Sequence, residues 1–88
     1  MSSTDSLIEY PCRFPIKVMA LSHPEFAPAI TAIATQFEPT FDAERMRITP
    51  SKGGKYLGLT LKVWVTSREQ LDDLYRALTG HPMVKVVL

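Results

Sequence analysis

Cys12, His23 and His81 are the side chains that offer nucleophile, base or soft-ligand chemistry beyond the hydroxyls of this 88-residue chain, and they are scattered. Nucleophilic catalysis needs a base within hydrogen-bond reach of the attacking group, and a metal centre needs three or four converging ligands. Cys12 follows Pro11 at the start of an extended segment and reads as a small packing residue. His23 lies in Ser22-His23-Pro24-Glu25, which has the form of a helix start, and His81 lies in the turn Gly80-His81-Pro82. No spacing relates the three, so the sequence predicts no catalytic residue, no metal site and no cofactor. The run Ser51-Lys52-Gly53-Gly54-Lys55 has the ingredients of a phosphate-cradling loop. It lacks the Gly-x-x-x-x-Gly-Lys-Ser/Thr spacing, and it joins two strand patterns instead of opening a helix. It therefore reads first as a hairpin turn, with Lys52, Gly53, Gly54 and Lys55 as a subsidiary anion contact at its tip.

The element that organises the chain is the stretch from Tyr56 to Thr66. Leu57, Leu59, Leu61, Val63 and Val65 alternate with Tyr56, Gly58, Thr60, Lys62 and Trp64, the period of two of a half-buried strand. Burying each aliphatic side chain is worth roughly 1.5 to 3 kcal/mol before entropy is counted, so this strand is expected at the centre of a sheet. A first strand begins at Phe14, with Phe14, Ile16, Val18 and Ala20 on one side and Lys17 and Met19 on the other. A helix follows, with Ser22 as cap and Phe26, Ile30, Ile33 and Phe37 as its buried stripe. Pro28 predicts either a kinked first turn or a start later than Ser22, and Pro39 ends the helix.

A second strand is expected from about Glu44 to Pro50, with Met46 and Ile48 inward and Arg45, Arg47 and Thr49 outward. A turn with an even number of residues at Gly53-Gly54 sets Ile48 against Leu59, Met46 against Leu61, Arg47 against Thr60 and Arg45 against Lys62. The repulsion between Lys52 and Lys55 favours opening that turn to four residues without changing the register. Thr66 or Ser67 caps a second helix buried through Leu71, Leu74, Tyr75 and Leu78, and Val84 to Leu88 forms a last strand. The order βαββαβ predicts an α+β ferredoxin-like sandwich: a four-stranded antiparallel sheet of order 4-1-3-2 with both helices on one face. Residues 1–6 read as a disordered tail and residues 7–88 as a single domain. With no apolar run near the ~18 residues of a membrane span and no possible internal disulfide, the expected location is the cytoplasm.

The helices leave one sheet face bare, and the charge there is uneven. Outward parity collects Lys17, Met19, Arg45, Arg47, Thr49, Tyr56, Thr60, Lys62, Trp64, Lys85 and Val87, including five of the ten basic residues, although the formal net charge is only +1. The bland reading is a solvated face whose lysine and arginine stems cover the sheet. The functional reading is a docking surface, chiefly Lys17, Met19, Arg45, Arg47, Lys62, Trp64 and Lys85, for an acidic protein partner or another anionic ligand. Nucleic acid is a weaker alternative, because RNA-recognition sheets cluster aromatics on their two central strands and the first strand here offers Lys17 and Met19.

Tyr10-Pro11, Phe14, Ile16-Lys17-Val18-Met19, Pro50-Ser51-Lys52-Gly53-Gly54-Lys55-Tyr56 and the ending Met83-Val84-Lys85-Val86-Val87-Leu88 resemble the YbeD-like family of small bacterial proteins of unknown function. The resemblance spans nearly the whole chain after the tail. It implies a ferredoxin-like fold similar to the regulatory ACT domains and a cytoplasmic location, and it supplies no established catalytic residues. It also adds an alternative function, a small-molecule-sensing dimer. Such a dimer is expected to pair through the edge of the second or fourth strand, since joining the bare faces opposes like charges.

Overall fold

The computed structural model describes residues 9–88; the expected tail at residues 1–6 lies outside them. Strand β1 (Cys12–Leu21) leads to helix α1 (Phe26–Phe37), a short 3-10 turn (Ala43–Arg45), strand β2 (Met46–Pro50), strand β3 (Tyr56–Val65), helix α2 (Arg68–Thr79) and strand β4 (Val84–Val87). The four strands form one sheet in the order β2-β3-β1-β4, with every neighbouring pair antiparallel. This is the expected α+β sandwich, its strand order read from the other edge.

The alternation in β3 decides the layering. Leu59, Leu61, Val63 and Val65 are at most 1% exposed and pack with Ile16, Val18 and Ala20 of β1 beneath Phe26, Ile30 and Ala34 of α1 and Leu71, Leu74 and Leu78 of α2. Ile33, Phe37 and Tyr75 are partly buried and pack against that core from its flanks.

Helix α1 begins at Phe26, so Ser22 is not its cap. A turn closes first, with the Phe26 N–H donating to the His23 carbonyl (3.1 Å) and the Glu25 N–H to His23 Nδ1 (3.0 Å). The later start places Pro28 third in the helix, where a backbone N–H has no intrahelical acceptor in any case. Ser67 caps α2, its hydroxyl accepting from the Gln70 N–H at 3.1 Å, and the Gln70 side chain accepts from the Thr66 N–H at 2.6 Å. The Gln70 amide also donates to the Phe37 carbonyl (2.8 Å), tying the end of α1 to the start of α2.

Met46, Arg47 and Ile48 face Leu61, Thr60 and Leu59 in the expected register. Beyond Pro50 opposite Leu57, the Ser51 N–H donates to the Tyr56 carbonyl (2.9 Å), so Lys52 to Lys55 form a four-residue turn. Gly53 and Gly54 both take positive φ, +86° and +75°, the left-handed conformation that glycine adopts without a Cβ clash. Ile48 shares the inward side of the sheet with Met46 but is 51% exposed, because the core packing does not extend over the edge strand.

Candidate functional site

The open face of the sheet is basic by construction. None of the four strands contains an acidic residue, whereas Arg13, Lys17, Arg47, Lys62 and Lys85 all lie on them. Ladder register sets their positions: Thr60 stands between Arg47 of β2 and Lys17 of β1, Lys62 faces Pro15, and Arg13 faces Trp64. Arg13, Arg45, Arg47 and Lys62 line a shallow basin of about 650 Å³ together with Met46, Thr60 and one acidic residue, Glu44 of the 3-10 turn. Among the described residues, neither Arg13, Lys17, Arg47 nor Lys62 forms an ion pair, and all four are exposed. The Lys17 stem runs past Gly58: a Cβ there would lie 3.8 Å from Lys17 Cε and 3.4 Å from the Thr49 carbonyl oxygen. Trp64, the single tryptophan, is 42% exposed beside this cluster.

Arg45 departs from the sequence expectation. It belongs to the 3-10 turn, which Asp42 starts by accepting from the Glu44 N–H (2.9 Å), so it is not an outward residue of β2. Its guanidinium forms a two-pronged ion pair with Glu38, including Nη1 to Oε1 at 2.9 Å, and lies 5.2 Å from the centre of the Phe41 ring. Glu38 is 5% exposed. Its carboxylate also accepts from the Thr40 hydroxyl (2.5 Å) and from the Trp64 N–H (2.6 Å), a backbone donor that lies beyond the end of β2. Burial pushes this carboxyl up, but the bonds from Arg45, Thr40 and Trp64 outweigh it and hold it below the ordinary range. Arg45 is therefore committed to the fold and is not a free ligand for a partner.

Two further placements differ from simple strand parity. A bulge between Met19 and Ala20 sets Met19 opposite Val86 and Ala20 opposite Val84, leaving Lys85 as the extra residue of β4. Val86, 45% exposed, consequently takes the place expected of Val87, which packs against the core side. Lys85 is exposed at that edge, while Met19 is half-buried opposite Gly58. Arg13 joins this surface because β1 begins at Cys12, two residues before the Phe14 start that the sequence pattern predicts. The parity of Cys12 with Phe14 and Ile16 is the signal that extends it.

The hairpin tip is a separate place. Lys52 and Lys55 flank the turn at the Tyr56 end of β3, about 20 Å from Lys62 at ~3.3 Å per residue. Lys55 Nζ lies 5.6 Å from the Tyr56 ring centre, and the Gly54 N–H is taken by the Ser51 carbonyl (2.8 Å). Cys12, His23 and His81 remain on different elements: the His23 and His81 Nδ1 atoms accept from Glu25 and Met83 amides as local turn braces. No group of three or more metal-ligating side chains occurs among the described residues, and no helix among them is long and apolar enough to cross a membrane.

The relationships of the chain agree with its architecture. The family described as "Protein of unknown function (DUF493)" matches residues 5–88. A UPF0250 protein of Paraburkholderia phytofirmans is 62% identical over 87 residues, covering 99% of this chain and 98% of its own. A UPF0250 protein of Bordetella pertussis is 63% identical over 84 residues, 96% of this chain and 92% of its own, and one from a Janthinobacterium species is 54% identical across all 88 residues. The YbeD-like resemblance leads to the same group of proteins, and the chain belongs to the DUF493 family.

Proposed function

We propose that this protein is a small, non-catalytic regulatory module of the cytoplasm that binds an acidic protein partner on the open face of its sheet. The observation that carries the reading is the sorting of charge: Lys17 and Arg47 flank Thr60, Lys62 and Arg13 follow along the same face, none of the four has an ion-pair partner among the described residues, and no strand supplies an acid. Like charges at such spacing repel one another, and solvent and salt reduce that repulsion without turning it into attraction. A carboxylate-rich surface converts it into attraction and also speeds encounter. The aromatic arrangement favours protein over RNA, because Tyr56 and Trp64 sit at opposite ends of β3 and do not form a two-strand stacking platform.

Trp64 provides the test, since its emission reports directly on this face. Polyglutamate is expected to shift that emission with an affinity that falls as salt is raised, and Arg47→Glu combined with Lys62→Glu is expected to weaken binding by about a hundredfold, a few kcal/mol of lost and reversed attraction. Both positions are exposed, so the variant should retain the native unfolding transition. Equal affinity of the reversed and native proteins overturns the reading. Binding of a single-stranded oligonucleotide in place of polyglutamate reassigns the face to nucleic acid.

A further inference from the structure

We propose that the free edge of β2 receives an extended segment of the acidic partner as a fifth strand, with its apolar and acidic side chains alternating. This inference rests on the basic-face reading and adds where and in what conformation the partner lies. Because the Ser51 N–H points into the sheet toward Tyr56, alternation turns the Thr49 and Arg47 amides inward as well and leaves that of Ile48 facing out. The Met46 N–H is already used by the Ala43 carbonyl, and Pro50 has none. The edge thus presents one donor, the Ile48 N–H, between the carbonyls of Met46, Ile48 and Pro50. Among the described residues nothing hydrogen-bonds to the Ile48 N–H. An antiparallel segment can exchange two hydrogen bonds with Ile48 and donate one each to Met46 and Pro50.

The two sides of that edge differ in chemistry, and the difference specifies the occupant. On the helix side, Met46 and Ile48 form the floor and Ala27, Pro28, Thr31 and Ala32 the wall of an apolar groove of about 500 Å³. The Thr31 hydroxyl donates its proton to the Ala27 carbonyl at 2.8 Å and lies 4.0 Å from Met46 Sδ, so its donor is satisfied within the protein. On the open side stand Arg47 and, one strand further in, Lys62. Side chains of an added strand alternate between these two surroundings. Residues opposite Met46, Ile48 and Pro50 must be apolar, and the residue opposite Arg47 must be acidic. A second copy of this chain satisfies the hydrogen bonds but extends the sheet by another unpaired basic face, so charge selects the acidic segment.

A short synthetic peptide alternating valine and glutamate, compared with polyglutamate of equal charge, tests the inference by Trp64 emission and by hydrogen exchange at the Ile48 amide. The alternating peptide is expected to bind at least about tenfold more tightly and to slow exchange at Ile48. Ile48→Asn and, independently, Ala32→Gln, which add polarity without charge, are expected to remove that advantage while leaving polyglutamate binding and thermal unfolding nearly unchanged, since both residues are exposed. Equal binding of the two peptides with an unprotected Ile48 amide overturns strand addition and leaves the basic face standing. Failure of both peptides to bind overturns both readings. A dimeric mass for the free protein that Ile48→Asn abolishes gives the edge to a second copy, and the inference fails.

Discussion

Replacing Glu38 with Ala is expected to lower stability by about 2 to 4 kcal/mol, although Glu38 belongs to neither the aliphatic core nor the basic basin. Three donors lose their acceptor at once: the Arg45 guanidinium, the Thr40 hydroxyl and the Trp64 amide. Side-chain exposures of 21% for Arg45 and 6% for Glu38 leave the orphaned cation some access to water, which keeps the cost below that of a fully buried pair. In a domain of this size the loss corresponds to a fall in Tm of about 10 to 30 °C. Glu38→Gln keeps an oxygen for the Trp64 N–H and removes only the charge, so it should fall between the native protein and the Ala variant. A Tm for Glu38→Ala within a degree or two of native would refute the structural role.

Acid should reproduce part of this loss. The Glu38 carboxyl is held below its ordinary value in the fold and returns to that ordinary value in the unfolded chain. Its contribution is therefore complete above that unfolded value and disappears as pH falls through it toward the lowered folded value. Denaturant unfolding at descending pH should show the native protein losing stability more steeply than Glu38→Gln over that window. Parallel acid limbs for the two proteins would assign the dependence to other carboxyls.

Phe26→Ala is the second large effect, at about 3 to 5 kcal/mol, a substantial share of the 5 to 15 kcal/mol typical of a whole domain. Phe26 is fully buried at the first position of α1, where it seals the helix against Ile16, Val18 and the other core residues. Trp64→Ala removes a larger ring from the opposite side of the sheet, yet it should cost far less, about 1 kcal/mol, because that residue is 42% exposed and lies outside the buried core. Chemical denaturation of the pair is a direct measure of sidedness. Comparable losses would mean that the open face is packed against something.

The sandwich, its strand order and the β2–β3 register were legible because each depends on alternation, and a single-residue slip would have put Leu59 and Leu61 in water. What escaped was set by contacts that alternation does not encode. Arg45 keeps the parity of Arg47 in sequence, but its partner Glu38 lies seven residues back across a loop, and Asp42 turns the backbone before the strand can begin. At β4, one extra residue in the bulge exchanges the surroundings of Val86 and Val87. The exposure of Ile48 is a matter of how far α1 reaches sideways, which no pattern within β2 reports. The basic cluster itself was visible apart from Arg13, although reading Arg45 as free overstated it.

Strand β3 runs past the start of β2, and at Trp64 it presents an amide to the side where no strand remains. The Glu38 carboxylate occupies that place, acting as a stopper on a sheet edge as well as a counterion. Unstoppered strand edges are templates for intermolecular pairing, and a buried charge is an effective guard against it. Below the titration of Glu38 the guard is neutralised while the apolar sequence Leu-Thr-Leu-Lys-Val-Trp-Val remains a strong strand former. Self-association in acid should consequently start at this end of β3, so the residue that completes the native sheet also limits how far the sheet can grow.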